Sequence, residues 1–156
     1  MKLLMDSDCL IKLTKSGLKP VVVEGFKVVV TETVVQEVVR AGMAKGLPDA
    51  QVVDRNISEG NIDVIGNPAG FEKGDDSLIG LFDLSRCNAV ATDDARLAKR
   101  LKTHGIPFIL PGLVVLRLFS SNRIDREYAI RFLDRLAEFI SEDEYAAVKL
   151  LLEKGV

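Results

Sequence analysis

Apolar residues fall in short runs set apart by polar turns, and the period of the pattern changes along the chain. The runs Lys2–Met5 (KLLM), Phe26–Val30 (FKVVV), Ile62–Ile65 (IDVI), Ala89–Thr92 (AVAT) and Pro107–Leu110 (PFIL) are too short for helices, and several are rich in branched residues. They read as strands. Helical spacing lies between them. A short helix runs over Asp8–Lys15 and stops at Ser16-Gly17. Thr33-Val34-Val35-Gln36 fits a capping box opening a helix to Ala41-Gly42. Pro48 and Asp49 start a third, to Glu59. Asp75 or Asp76 caps a fourth, to Arg86, and a fifth spans Asp93–Thr103. Beyond Leu110 the pattern is helical only, over Leu113–Ser121, Asp125–Phe139 and Ser141–Lys154.

Strands alternating with helices predict an α/β sandwich on a parallel sheet. The helical tail is expected to pack on it as an appendage, so residues 1–156 read as one domain. Its core would be 1–112 and its helical extension 113–156.

Composition narrows the function less than it narrows the fold. At 47% hydrophobic and 28% charged, the 156 residues are those of an ordinary globular protein. The net charge of −2 supplies no global basic field, so a nucleic-acid partner would need a local patch or bound cations. No apolar stretch approaches the ~20 residues of a membrane span. The start, MKLLMDSD, meets acid too early for a signal peptide, which predicts a cytoplasmic protein. Cys9 and Cys87 sit in apolar contexts and read as small buried hydrophobes.

The acids carry the chemistry. In open parallel sheets, ligands bind beyond the carboxyl ends of the strands. The first strand ends in Asp6 and the fourth in Asp93-Asp94, so both acids fall at that rim. Asp75-Asp76 head the helix that leads back into the fourth strand. Glu37 lies at the margin of the apolar arc formed by Val34, Val35, Val38 and Val39, from where it can reach a cleft. Each of these acids also fits a plainer role as a helix cap or a solvated residue, and Asp6, ending an apolar strand, fits it least. If Asp6, Glu37, Asp76 and Asp94 converge to about 5–6 Å, their repulsions total on the order of 10–20 kcal/mol at an effective dielectric near 20. Such a cluster must share protons or bind cations, and oxygen-only ligands favour Mg²⁺ or Mn²⁺.

These residues, in this order, resemble the PIN domain family of metal-dependent ribonucleases. The family pattern is an apolar strand ending in Asp-[Thr/Ser], a Glu in a helix, an Asp opening a later helix, and T-x-D after a strand. Here the matching stretches are LLMDS, VVQEVVR, DDSLIGL and ATDD. The likeness covers residues 1–112, and the tail resembles the helical extension of a prokaryotic subgroup. The resemblance implies a three-layer α/β/α sandwich with a central parallel sheet. It assigns catalysis to Asp6, Glu37, Asp76 and Asp94, and metal binding to these together with Asp75 and Asp93. Which aspartate of each doublet is the main ligand stays open. Ser7 stands where the family has a hydroxyl residue, and Asp8 departs from its usual Asn or Ser.

The expected activity is Mg²⁺- or Mn²⁺-dependent endoribonuclease cleavage of RNA. Two ions would be held by the acids, one activating a water and one steadying the leaving 3′ oxygen. Substrate contacts fall to Ser7, Thr92, Lys73, Arg96, Lys99 and Arg100. The last three share one helix face by i, i+3 and i+4 spacing. His104, alone at a helix end, reads as a dipole partner. Many small PIN proteins are toxins of toxin–antitoxin pairs and commonly dimerise, so the resemblance brings in an antitoxin protein and a second copy as partners, and no membrane. The apolar wrap of LPGLVVLRLF is a further pointer to a homodimer unless the C-terminal helices cover it. Three alternatives stand beside this: a PIN-type module that binds RNA or protein without cutting; a phosphohydrolase of the haloacid dehalogenase type, suggested by the Asp6-Ser7-Asp8 spacing; and a structural, non-metal acidic protein, which leaves the strand-end Asp6 unexplained.

Overall fold

The computed structural model describes residues 1–67, 70 and 74–155. The strands are β1 (Lys2–Met5), β2 (Lys27–Thr31), β3 (Ile62–Ile65), β4 (Ala89–Ala91) and β5 (Phe108–Ile109). The helices are α1 (Ser7–Gly17), α2 (Glu32–Val35), α3 (Ala41–Ala44), α4 (Pro48–Ser58), α5 (Gly74–Ser85), α6 (Ala95–Thr103), α7 (Pro111–Ser120), α8 (Arg126–Leu136) and α9 (Glu142–Lys154). Two π-helical segments, Pro20–Gly25 and Gln36–Arg40, complete the described elements. The second links α2 to α3 in one helical run.

All five strands are parallel, in the order β3-β2-β1-β4-β5. The alternation along the strands explains the layering. Leu3, Met5, Val28, Val30, Ala89 and Ala91 share one apolar cluster with α1, α7, α8 and α9. Leu4, Val29 and Val90 face the other way, against Leu78 of α5 and Leu97 and Leu101 of α6. This is the three-layer α/β/α sandwich with additional C-terminal helices. Every strand residue from Leu3 to Met5 is fully buried, as a central parallel strand with both faces covered requires.

Two local expectations are corrected. The sequence pattern puts the capping box at Thr33, but Thr31 is the cap: its hydroxyl accepts the Val34 N–H at 3.3 Å. Thr33 instead accepts a hydrogen bond from the Asn67 amide. A strand-end threonine caps as well as one two residues later, and strand pairing through Thr31↔Ile65 decides between them. The first helix begins at Ser7, not Asp8, because Asp6 is its cap. The segment Pro20–Gly25 was not anticipated from periodicity.

The C-terminal helices are tied in by an unusual cap. α7 starts after Leu110, whose side chain caps nothing, and the Gly112 N–H donates instead to Glu144 Oε1 of α9 at 2.6 Å. A Cβ at Gly112 would lie 2.9 Å from that oxygen and 3.2 Å from Val148 Cγ2, so any larger residue would push the Glu144 carboxylate from its place. Val114, Val115 and Leu118 are fully buried, with Leu113, Leu116 and Phe119 packed against the same core. The apolar wrap of α7 is therefore satisfied within one chain and supplies no argument for a second copy. No helix among the described residues is long and apolar enough to cross a membrane.

Candidate functional site

From β1 the chain moves to β2 and β3 on one side, then crosses to β4 and β5 on the other. The direction of winding thus reverses between β1 and β4, and a crevice opens beyond their carboxyl ends at such a switch point. A cleft of about 380 Å³ lies there, lined by Asp6, Ser7, Asp8, Glu37, Asp75, Asp76, Asp94 and Arg100 with Val34, Gly74 and Leu78. The four acids Asp6, Glu37, Asp76 and Asp94, from four separate stretches of sequence, share it.

Register builds the floor. Met5 pairs with Ala91, and the Asp6 N–H donates to the Ala91 carbonyl at 3.1 Å, which puts Asp6 beside Thr92. The fully buried Thr92 hydroxyl hydrogen-bonds the Asp6 carboxylate and accepts the Asp94 N–H at 3.1 Å. Asp6 Oδ1 also accepts the Cys9 N–H at 2.7 Å, so this acid is both a helix cap and a buried carboxylate, only 7% exposed. Burial raises its pKa from 3.8 to about 6. The hydrogen bonds from Thr92 and Cys9 oppose that rise, and the nearby negative charges of Asp8 and Asp93 add to it. Thr92 is too enclosed to touch a substrate. It positions Asp6.

Glu37 comes from the π-helical segment. Wide turns of this kind are found at functional sites because they re-aim side chains. Here Val38 and Val39 stay buried while Glu37 is turned into the cleft. Its carboxylate accepts a hydrogen bond from the Ser7 hydroxyl and lies over Gly74, where an added Cβ would be 3.2 Å from Oε1. Asp94 caps α6, accepting the Leu97 N–H at 2.7 Å. Three helix N-termini, of α1, α5 and α6, therefore meet at the cleft, and their positive ends temper the negative charge.

The other expected residues separate. Asp75 and Asp76 flank Arg100, at 3.7 and 2.6 Å. Asp93 points away from the cleft, into an ion pair with Lys12. Arg96 and Lys99 are exposed on α6 outside the cleft lining. Lys73 lies outside the described residues. His104 ends α6, its Nδ1 2.8 Å from the Arg100 carbonyl. Cys9 and Cys87 are buried and free, and burial pushes both thiols above their usual range.

The supposed convergence to 5–6 Å needs correction. Among the described residues, no three His, Cys, Asp or Glu side chains stand together as a ready metal-ligand group. The mutual repulsion is relieved by a separate partner for each acid: Ser7 for Glu37, Arg100 for Asp76, the Leu97 N–H for Asp94. By chemistry the donors still fit a hard cation, since all are carboxylates and the most deeply buried, Asp6, has a pKa that a neighbouring positive charge would lower.

Lys12 and Glu144 escaped sequence reasoning. Lys12 follows Asp8 by one helical turn, a spacing that points to Asp8 as its partner, whereas it pairs with Asp93. Glu144 lies 32 residues from Gly112 and has none. Burial raises the Glu144 pKa, the Gly112 N–H opposes it, and Asp93 and Lys12 act on it in opposite directions. No protein-family model matches the chain, and no curated protein matches it.

Proposed function

We propose that this chain is a divalent-metal-dependent endoribonuclease of the PIN type. The observation that carries the reading is the meeting of Asp6, Glu37, Asp76 and Asp94 in one cleft at the switch point of a parallel sheet. In this reading the four acids hold Mg²⁺ or Mn²⁺, with Asp75 beside them. The ion supplies positive charge at the scissile phosphate and acidifies water for its hydrolysis. The chain's own part is positional. Thr92 and the Cys9 N–H fix Asp6, Ser7 fixes Glu37, and the Leu97 N–H fixes Asp94. Arg96, Lys99 and Arg100, on one side of α6, are the phosphate contacts we assign, with RNA tracking over that helix. A toxin role with an antitoxin partner, and a homodimer, belong to the same proposal and rest on the family resemblance alone.

The second reading is a PIN-type module that binds RNA without cutting, for which the exposed Arg96 and Lys99 of α6 would serve equally well. The deciding experiment incubates purified protein with single-stranded RNA and Mn²⁺, Mg²⁺ or EDTA, alongside Asp6→Asn. Cleavage that needs the metal and is lost in the variant supports the nuclease. RNA binding with no cleavage in any metal supports the module.

A further inference from the structure

Among the described residues lining the cleft, Arg100 is the only basic one, against six carboxylates. Its place is specific. Nη2 lies 2.6 Å from Asp76 Oδ1 and Nη1 lies 3.7 Å from Asp75 Oδ2, so the guanidinium forks across the doublet that opens α5. All three side chains are close to half exposed, and an ion pair so wet is held weakly.

We propose that Arg100 is a tethered counter-cation, which occupies Asp76 until a divalent ion displaces it; this rests on the metal-dependent reading above. Asp76 Oδ1 cannot accept a guanidinium at 2.6 Å and bind an ion through the same lone pairs. An ion that takes those lone pairs releases the arginine. A freed guanidinium keeps its planar fork, which matches two oxygens of a phosphodiester. The exchange makes cation loading and phosphate capture successive uses of one side chain. It also accounts for the pairing of the Asp75-Asp76 doublet with a cation of the chain's own when no metal is bound.

The test is Mn²⁺ binding by titration calorimetry, with manganese chloride alone and no RNA, on the parent, Arg100→Met, Arg100→Lys and Asp94→Asn. Removing the competing charge is expected to tighten binding roughly three- to tenfold in Arg100→Met. Arg100→Lys keeps the charge and should stay within about twofold of the parent. A residue that only braced the fold would give no gain in affinity. Arg100→Gln takes the place of Arg100→Met should the latter melt below the assay temperature. Affinity equal to or weaker than the parent's overturns the clamp. The metal reading then still stands, as long as the parent binds and Asp94→Asn loses binding. If neither parent nor Arg100→Met binds Mn²⁺, the metal reading falls and the clamp with it.

Discussion

The Ser7 hydroxyl donates a hydrogen bond to Glu37, fastening the first turn of α1 to the π-helical segment thirty positions along the chain. It joins the acid-bearing end of β1 to the helical run that follows β2. A net contribution of about 0.5–1.5 kcal/mol is typical for one such bond, so Ser7→Ala should leave the fold intact. What it should lose is the aim of Glu37. RNA cleavage in Mn²⁺ is expected to fall about tenfold or more, as misplacement near a reacting centre does. Ser7→Thr, which keeps the hydroxyl, should retain most of it. Denaturant midpoints and cleavage rates on the same preparations check both parts.

Asp6 predicts a pH signature in metal-free protein. Its folded pKa, about 6, is above the ordinary 3.8, so the folded chain holds this proton more tightly than the unfolded chain does. The stabilisation from that proton is complete below about pH 4 and is lost as pH rises through 6. The loss is worth up to about 3 kcal/mol. Asp6→Asn, which never ionises, should therefore be more stable than the parent at pH 7.5 in EDTA, by about 1–3 kcal/mol. The gap should close near pH 4. Urea midpoints at the two pH values measure it, and a variant less stable than the parent at pH 7.5 contradicts the buried, ionised state of Asp6.

Gly112 and Glu144 predict a stability effect remote from the chemistry. Gly112→Ala drives a methyl to 2.9 Å from the carboxylate that caps α7. Overpacking of this sort costs about 1–3 kcal/mol. Glu144→Ala leaves the Gly112 N–H without its acceptor, at about the same cost. Because the two changes break one contact, the double variant should cost less than the sum of the singles. Additive costs in a thermal double-mutant cycle would mean that the contact is not what holds α9 to α7.

Divalent metal should stabilise the fold. A ligand confined to the folded state adds about 2.7 kcal/mol at a hundredfold excess over Kd, or roughly 5–10 °C in Tm for a chain of this size. Mg²⁺ and Mn²⁺ should both act. Sodium chloride at matched ionic strength should do less, since screening is not coordination. Asp94→Asn should shrink the shift. Asp134→Asn should not, because Asp134 is engaged by the Tyr145 hydroxyl at 2.7 Å on the C-terminal helices. Equal shifts from all three salts in differential scanning fluorimetry would remove the metal from the site.

Local physics was readable from the sequence alone. Lys2–Met5 and Ile62–Ile65 match the expected strands residue for residue, and the other three agree to within one residue at each end, because branched apolar runs bounded by turns leave few alternatives. The helices beginning at Pro48 and ending at Thr103 were legible for the same reason, through their N-terminal proline and C-terminal His-Gly. The candidate acids were legible too, since strand-end carboxylates stand out against apolar runs. What only the tertiary structure decided was partnership. The strand order that makes β1 and β4 neighbours, and sets Asp6 beside Thr92, is a product of chain crossover, which periodicity does not encode. The choice of Asp94 over Asp93 for the cleft came from Lys12, 81 residues away, drawing Asp93 to the other side. The bond that holds Glu37 in the cleft comes from Ser7, thirty residues away, and no helical period expresses that partner. Contacts distant in sequence cost chain entropy to form and are fixed only by the whole packed core, so no local stretch contains them.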